Sequence, residues 1–295
     1  MAYSVWYRRI RFLLFKFVTL LTLVRWYNIL LIWIAQYLAA RFILNAHLSW
    51  MDILTDIRIH LVTFSTAFSI ASGYIINSFY DLEKDLINRP DKTIFNRLIS
   101  KWFSLNCYFL FNIIGLWLAF LVSFEILLFN LLFQGLMWLY SHKLKRIALL
   151  GNFMATVLAI SPFFSVCIYY GKINQLVSIY VAYMFCIELT REIIKDLEAV
   201  KGDLIYGYKT VPIIWGTYAA KNIIYFLMLC SFLPSFYIFI LDGNVTILYS
   251  FLFSIGWILY QAFLLFKAQS IQEYHRVNNN YKVLIIIALA SIVLI

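Results

Sequence analysis

Two acidic clusters lie at the ends of long apolar runs, and their residue types set the chemistry open to this chain. The first reads Asn77-Ser-Phe-Tyr-Asp81-Leu-Glu-Lys-Asp85, and the second Arg191-Glu-Ile-Ile-Lys195-Asp196-Leu-Glu-Ala-Val-Lys-Gly-Asp203. Carboxylates in or beside a bilayer are costly, so such groups read as functional by default. Asn77, Asp81 and Asp85 are spaced by four, which on a helix is nearly one face, each step rising about 6 Å. Hard cations such as Mg²⁺ take carboxylate and amide oxygens and share their remaining positions with water and substrate phosphates. A solvated, acid-capped helix end explains a single Asp but not an Asn set one turn deeper. Arg89 and Lys92 follow in the next loop; there they can clamp diphosphate oxygens, the first as a fork and the second as a point charge. The bland alternative for both is a basic loop facing the cytoplasm. Asp196 and Asp203 are seven apart, one face if the helix continues, and Arg191 and Lys195 form a cationic step of four. Gly202 and Gly207 are expected to interrupt that helix near its last acid. Acids and bases together beside a membrane point to divalent cations holding a phosphorylated lipid.

The elements that position these residues follow from composition. Of 295 residues, 64% are hydrophobic and 13% charged, against about half and a quarter in a soluble domain. The chain reads as an integral membrane protein. Its runs do not alternate apolar and polar as barrel strands do, so they are expected to be helices. Nine spans of roughly 20 apolar residues are expected at about 17–40, 60–80, 102–122, 124–141, 149–170, 174–196, 220–241, 244–266 and 282–295. The last is short for a full crossing, and the first lacks the pattern of a cleaved leader and is expected to be retained. Residues 41–58 form the one sizeable outside loop. Only Arg41, Arg58 and Lys172 of the 24 basic residues fall on the outside, an asymmetry that predicts N-in, C-out topology with both acidic clusters cytoplasmic. The expected architecture is an all-α, multi-pass bundle forming one domain over residues 1–295. The formal charge of +10 is read as basic loops against an anionic leaflet rather than as a nucleic-acid surface. Cys107, Cys167, Cys186 and Cys230 lie in apolar runs without a Cys-x-x-Cys pair and read as packing residues.

With these residues in view, the chain resembles the UbiA superfamily of intramembrane prenyltransferases. Asn77-x3-Asp81-x3-Asp85 and Asn88-Arg89-Pro90 are similar to its first Asp-rich motif and the loop after it. Tyr140-Ser-His-Lys-Leu-Lys145-Arg146, with Gly151-Asn152, is similar to its stretch between spans four and five. Arg191 through Asp203 and on to Lys209-Thr-Val-Pro212 is similar to the second motif region, and Arg25 and Asn28 fit span one. The resemblance implies transfer of an isoprenyl chain from a prenyl diphosphate to a lipophilic acceptor, within the membrane lipid and with Mg²⁺ assisting departure of diphosphate. It assigns Asn77, Asp81, Asp85, Asp196 and Asp203 to the metal and catalysis. It assigns Arg25, Asn28, Arg89, Lys92, Tyr140, Lys145, Arg146, Asn152, Arg191, Lys195 and Lys209 to substrate. One position departs from the pattern. Four residues before Asp203, where the family usually has Asp, stands Ala199. Asp196 is expected to take the missing ligand's role in a second cation site, and Glu198 to point elsewhere.

An allylic cation formed on diphosphate loss must be kept from water, which an apolar cavity in a bundle does. The 27 Phe, 21 Tyr and 9 Trp suit such a cavity, although packing and interfacial placement account for most of them. The Arg-Glu-Ile-x-Lys-Asp-x-Glu string looks most like the branch that prenylates geranylgeranylglyceryl phosphate. Aromatic acceptors of the 4-hydroxybenzoate, homogentisate or naphthoate type are the alternative. Outside this class, a transporter would place its ionisable residues near the bilayer midplane, and a non-catalytic membrane scaffold would not need the acids.

Overall fold

The computed structural model describes residues 16–88, 100–242 and 245–294, with side chains left out at several positions between 235 and 251. Among the described residues every regular element is helical, and the one strand-like feature is an isolated bridge between Ile147 and Lys209. We label the helices α1 (residues 16–23), α2 (Trp26–Leu38), α3 (Trp50–Thr55), α4 (Ile57–Asn88), α5 (Lys101–Phe120), α6 (Phe124–His142), α7 (Leu150–Tyr170), α8 (Gln175–Ile205), α9 (Val211–Asp242), α10 (Val245–Lys267) and α11 (Ile271–Ala290). Eight of the nine expected spans each fall on one long helix, from α4 to α11, and the first is divided between α1 and α2, which meet at a two-residue turn.

Seven of these helices are long and apolar enough to cross a membrane, and Leu252–Lys267 is a shorter apolar helix. Helix α8 does not join them because its second half carries the charged cluster. The protein is thus an integral, multi-pass membrane protein. Three expected details are corrected. The 41–58 segment is mostly helical: α2 continues as a π-helix over Ala39–Leu44, and α3 carries a capping box in which Ser49 and Asp52 satisfy each other's backbone N–H groups. The last span begins at Ile271, not near 282, because Ser270 and Glu273 form a second capping box. With its terminal 3₁₀ turn it is 24 residues long, enough for a full crossing. Lastly, Gly202 does not interrupt α8.

Short polar residues start the other helices. Ser100, Ser123 and Asn174 each accept the backbone N–H three residues on, filling one of the orphan donors of a helix start. Gly171, at φ 61°, ends α7, and Gly216, at φ 84°, breaks α9 into two pieces.

Helices α4 and α8 are the two longest carriers of charge and lie at the centre. Helix α4 packs on α2, α5, α6, α7 and α8, and α8 on α4, α7, α9 and α11. Two-thirds of the apolar window of α4 is buried, against 17% for peripheral α5. Lipid gives no reason to hide apolar side chains, so a central helix is one whose small polar residues find partners. Helix α4 buries Thr63, Ser65, Thr66, Ser69 and Ser72. Ser69 donates to Asn130 and Ser72 to Asn112, binding α4 to α6 and α5.

Candidate active site

The C-terminal ends of α4 and α8 come together, and the first cluster meets the second. Asp81, 6% exposed, accepts an ion pair from Lys145 at 2.8 Å and a hydrogen bond from the Tyr208 hydroxyl at 3.2 Å. Lys145 also donates to Asn77 Oδ1 at 3.4 Å. Lys84 Nζ lies 3.5 Å from Asp81 Oδ1 and 3.2 Å from Asp203 Oδ1. The expected stripe on α4 is therefore real for Asn77 and Asp81. Asp85 continues it one turn on, half-buried and with interactions of its own. Arg89 and Lys92 lie outside the described residues.

Local sequence explains how the two helix ends dock. Gly202 donates its backbone N–H to Asn88 Oδ1 at 2.9 Å, and a Cβ there would fall 2.5–2.6 Å from the Asn88 side chain. Its role is close approach rather than helix breaking. Gly207, at φ 68°, ends α8 instead. The N–H groups of Gly207 and Tyr208 return to the carbonyls of Leu204 and Asp203, a Schellman turn that needs a residue in the left-handed region. That turn swings Tyr208 back over the acids. Burial, with the Asp81 carboxylate beside it, pushes its phenol up to about 12. Next in the chain, Lys209 donates its N–H to the Arg146 carbonyl, tying this turn to the 3₁₀ turn Leu144–Arg146 that presents Lys145. The Arg146 guanidinium lies 5.3 Å from the Tyr208 ring. Lys209 contributes backbone here, and its side chain is exposed.

Beside the acids opens a cavity of about 460 Å³. Its polar wall includes Asn77, Tyr140, Glu188, Arg191, Glu192 and Lys195, with Arg25 and Asn28 from the α2 start and Lys282 from α11. Its remaining lining is largely apolar, with Ile70, Phe133, Leu158, Phe163 and Leu289 among the contributors. Arg25 sits at φ 51° where α1 meets α2, and stacks 5.2 Å from the Tyr74 ring. Asn28 donates to the Tyr74 hydroxyl. Arg191 pairs with Glu188 at 2.9 Å while its Nε has no hydrogen-bond partner, and Lys195 pairs with Glu192 at 2.7 Å. Gln36, two turns beyond Asn28 and 2% exposed, is held by Thr66, the Pro162 carbonyl and Ser165.

The second cluster is less unified than expected. Asp196 accepts from Asn152 at 2.8 Å. Helix α8 is continuous from Asp196 to Asp203, a rise of about 10 Å, so direct sharing of one ion by these two carboxylates is not supported. Glu198 does turn away, accepting from His275 and Asn278 on α11. Sequence reasoning missed Lys84, Tyr208, Glu188 and Gln36. Lys84 had a signal, three residues after Asp81 and next to Asp85. Tyr208 had none beyond following a glycine, since only the turn carries it back to Asp81.

The donor set fits a hard cation. Among the described residues no three Asp, Glu, His or Cys side chains form a self-sufficient cation site. Mg²⁺ does not require one, because it keeps waters and phosphate oxygens. Asp203 Oδ1 is buried and forms no directed hydrogen bond, its contact with Lys84 being an ion pair only. An ammonium already sits between Asp81 and Asp203, a position that attracts positive charge.

A helical membrane bundle with two acid-bearing central helices converging beside an apolar cavity defines a class of intramembrane lipid-handling proteins. The chain belongs to the UbiA prenyltransferase family, whose model matches residues 48–280. It is 37% identical over 183 residues to digeranylgeranylglyceryl phosphate synthase of Thermococcus gammatolerans, covering 59% of this chain and 64% of that relative. It is 28% identical over 250 residues to the same-named enzyme of Thermococcus kodakarensis, covering 81% and 85%. The first of these matches spans just under two-thirds of the relative's length. A solved structure described as a study of digeranylgeranylglyceryl phosphate synthase in membranes superposes with a TM-score of 0.70 at 25% identity, covering 95% of this chain and 98% of that one. A UbiA homologue from Archaeoglobus fulgidus bound to GPP and Mg²⁺ shares the fold, with a TM-score of 0.65 at 17% identity over 93% and 99% of the two chains.

Proposed function

We propose that the protein transfers an isoprenyl chain from a prenyl diphosphate to a lipophilic acceptor, with geranylgeranylglyceryl phosphate as the acceptor the site suits best. One observation carries this reading: Asn77, which lines a largely apolar cavity, is joined through Lys145 to Asp81 on the same central helix, and Lys84 joins Asp81 to Asp203 from the other. Acids at helix ends beside basic side chains suit phosphate handling better than midplane transport. Mg²⁺ held by Asn77, Asp81, Asp85 and Asp203 would neutralise the charge that builds on the leaving diphosphate. Lys145 adds a fixed positive charge to the same place, and charge preorganised at a developing anion is often what lowers the barrier most in such reactions. As the bond from allylic carbon to diphosphate oxygen breaks, an acceptor hydroxyl oxygen bonds that carbon and releases its proton. The apolar walls hold the chain and exclude water.

The preference for a phosphorylated acceptor rests on cations additional to the Lys84 and Lys145 that pair with Asp81 and Asp203. Arg25, Arg191, Lys195 and Lys282 all line the cavity, and Arg191 Nε is an unfilled donor. Among same-fold relatives, the Archaeoglobus homologue is described with GPP and Mg²⁺, and the named synthases take their name from the phosphorylated diether product. The proposed orientation is N-in, C-out with the site opening to the cytoplasm, on the grounds of the basic asymmetry. Labelling of an engineered Cys at position 101 from the outside would refute it. The activity is tested by incubating nanodisc-reconstituted protein with geranylgeranyl diphosphate, Mg²⁺ and either geranylgeranylglyceryl phosphate or the aromatic acceptors. The expected product is the diether phosphate, read by mass. A prenylated aromatic product alone would overturn the acceptor assignment, and no prenylated product from any acceptor would overturn the activity.

A further inference from the structure

Lys84 is a member of the first cluster that the oxygen stripe does not call for. It follows Asp81 by three residues on α4, and its side chain is 15% exposed. Its ammonium stands between the two central helices, 3.5 Å from Asp81 Oδ1, 3.2 Å from Asp203 Oδ1 and 4.3 Å from the Tyr208 ring centre. Two carboxylates on one side and an aromatic face on the other are what a bound cation selects. On α8 the position one turn before Asp203 is Ala199, so α8 delivers one carboxylate to this place. Glu198 is committed to His275 and Asn278, and Asp196 to Asn152. The local charge count agrees. Asp81 and Asp203 are matched here by Lys84 and Lys145, so part of the positive charge a diphosphate would meet is already supplied by the chain.

We propose that Lys84 is a built-in substitute for one divalent cation, so that the protein takes a single divalent ion with each diphosphate. The ammonium supplies the positive charge on the Asp203 side, and the one ion takes the oxygens of the Asn77, Asp81 and Asp85 stripe. This rests on the diphosphate-binding reading above. It also gives Ala199 a physical reason: with the lysine's charge in place, a further acid on α8 to gather a second ion is unnecessary.

The test is equilibrium dialysis of the purified full-length protein in detergent against Mn²⁺ and inorganic diphosphate, counting both on each side. Wild type should retain one Mn²⁺ and one diphosphate per chain, and Lys84→Arg, which keeps the charge, should match it. Lys84→Met should need at least tenfold more Mn²⁺ for half-maximal diphosphate retention. Lys84→Met with Ala199→Asp should retain two Mn²⁺ per diphosphate. Two Mn²⁺ on wild type, or an unchanged Mn²⁺ requirement in Lys84→Met, overturns the proposal, and the second arm stands even where the double variant does not fold. Failure of the underlying reading looks different: wild type and every variant would retain no diphosphate at any Mn²⁺ concentration.

Discussion

The pair Asp81–Lys145 offers a direct measure of how strongly the site is prebuilt. The two charged atoms are 2.8 Å apart, and their side chains are 8% and 5% exposed. At an effective dielectric near 20, that separation corresponds to about 6 kcal/mol of gross attraction. Desolvation of both groups removes much of it, so the net worth of the pair is small. Removing one partner is another matter, because the other charge stays buried; such single truncations cost about 3–5 kcal/mol. Asp81→Asn retains an oxygen for Tyr208 and Lys145, which places it at about 3 kcal/mol, the low end of that range. Lys145→Met leaves Asp81 with Lys84 at 3.5 Å and should fall in the same range. The double variant removes both charges and should cost about 2–3 kcal/mol less than the two singles together, a coupling typical of contacting charged residues. Equilibrium unfolding in mixed micelles measures all three. Costs that add to within about 0.5 kcal/mol would refute the view that these groups form one electrostatic unit. Independently, Asp81→Asn should lower turnover by about 10²–10³-fold, the usual effect of losing one preorganised charge-stabilising group. Near-native turnover by folded protein would remove Asp81 from the site.

Three further outcomes follow from particular contacts. Tyr208→Phe should weaken diphosphate retention several-fold by freeing the Asp81 carboxylate, and calorimetry against wild type should show that it removes a pH effect. Because the phenol is pushed up to about 12, its stabilising contribution is complete below the ordinary tyrosine value of about 10 and declines as pH rises from there towards 12; an identical alkaline decline in both proteins would contradict this. Gly202→Ala should lower diphosphate retention at least fivefold, since the new methyl displaces Asn88 and parts the helix ends, and adding Asn88→Ala should restore most of it. If the second change rescues nothing, close approach at Gly202 is not what sets the site. Arg191→Lys should raise the KM for a phosphorylated acceptor about tenfold while leaving prenyl diphosphate binding unchanged, because a point charge cannot replace a fork; equal effects on both substrates in steady-state kinetics would place Arg191 at the diphosphate instead.

What the sequence determined by itself was whatever depends on composition and short-range spacing. Apolar length requires helices, because backbone groups in lipid must be satisfied within the segment, and helices lie at all nine expected positions, seven of them long and apolar enough to cross. The four-residue spacing put Asn77, Asp81 and Asp85 on one face, since α-helical geometry is local and does not wait for a partner. Where expectation failed, the deciding force came from outside the local window. Gly202 looked like a helix breaker by propensity, yet it lies inside α8, because its missing side chain admits Asn88 from another helix. Asp196 looked like a replacement ligand by spacing, but a continuous helix keeps it about 10 Å of rise from Asp203, and Asn152 claims it. Lys84 reads in sequence as one more basic residue near a cytoplasmic loop. Only the docking of α4 on α8 brings Asp203 within 3.2 Å of its ammonium, and the energy of that contact depends on a burial that residue order along one helix does not encode. The acids could be read from spacing; the cation they share is a property of two helix ends that lie more than a hundred residues apart in the chain.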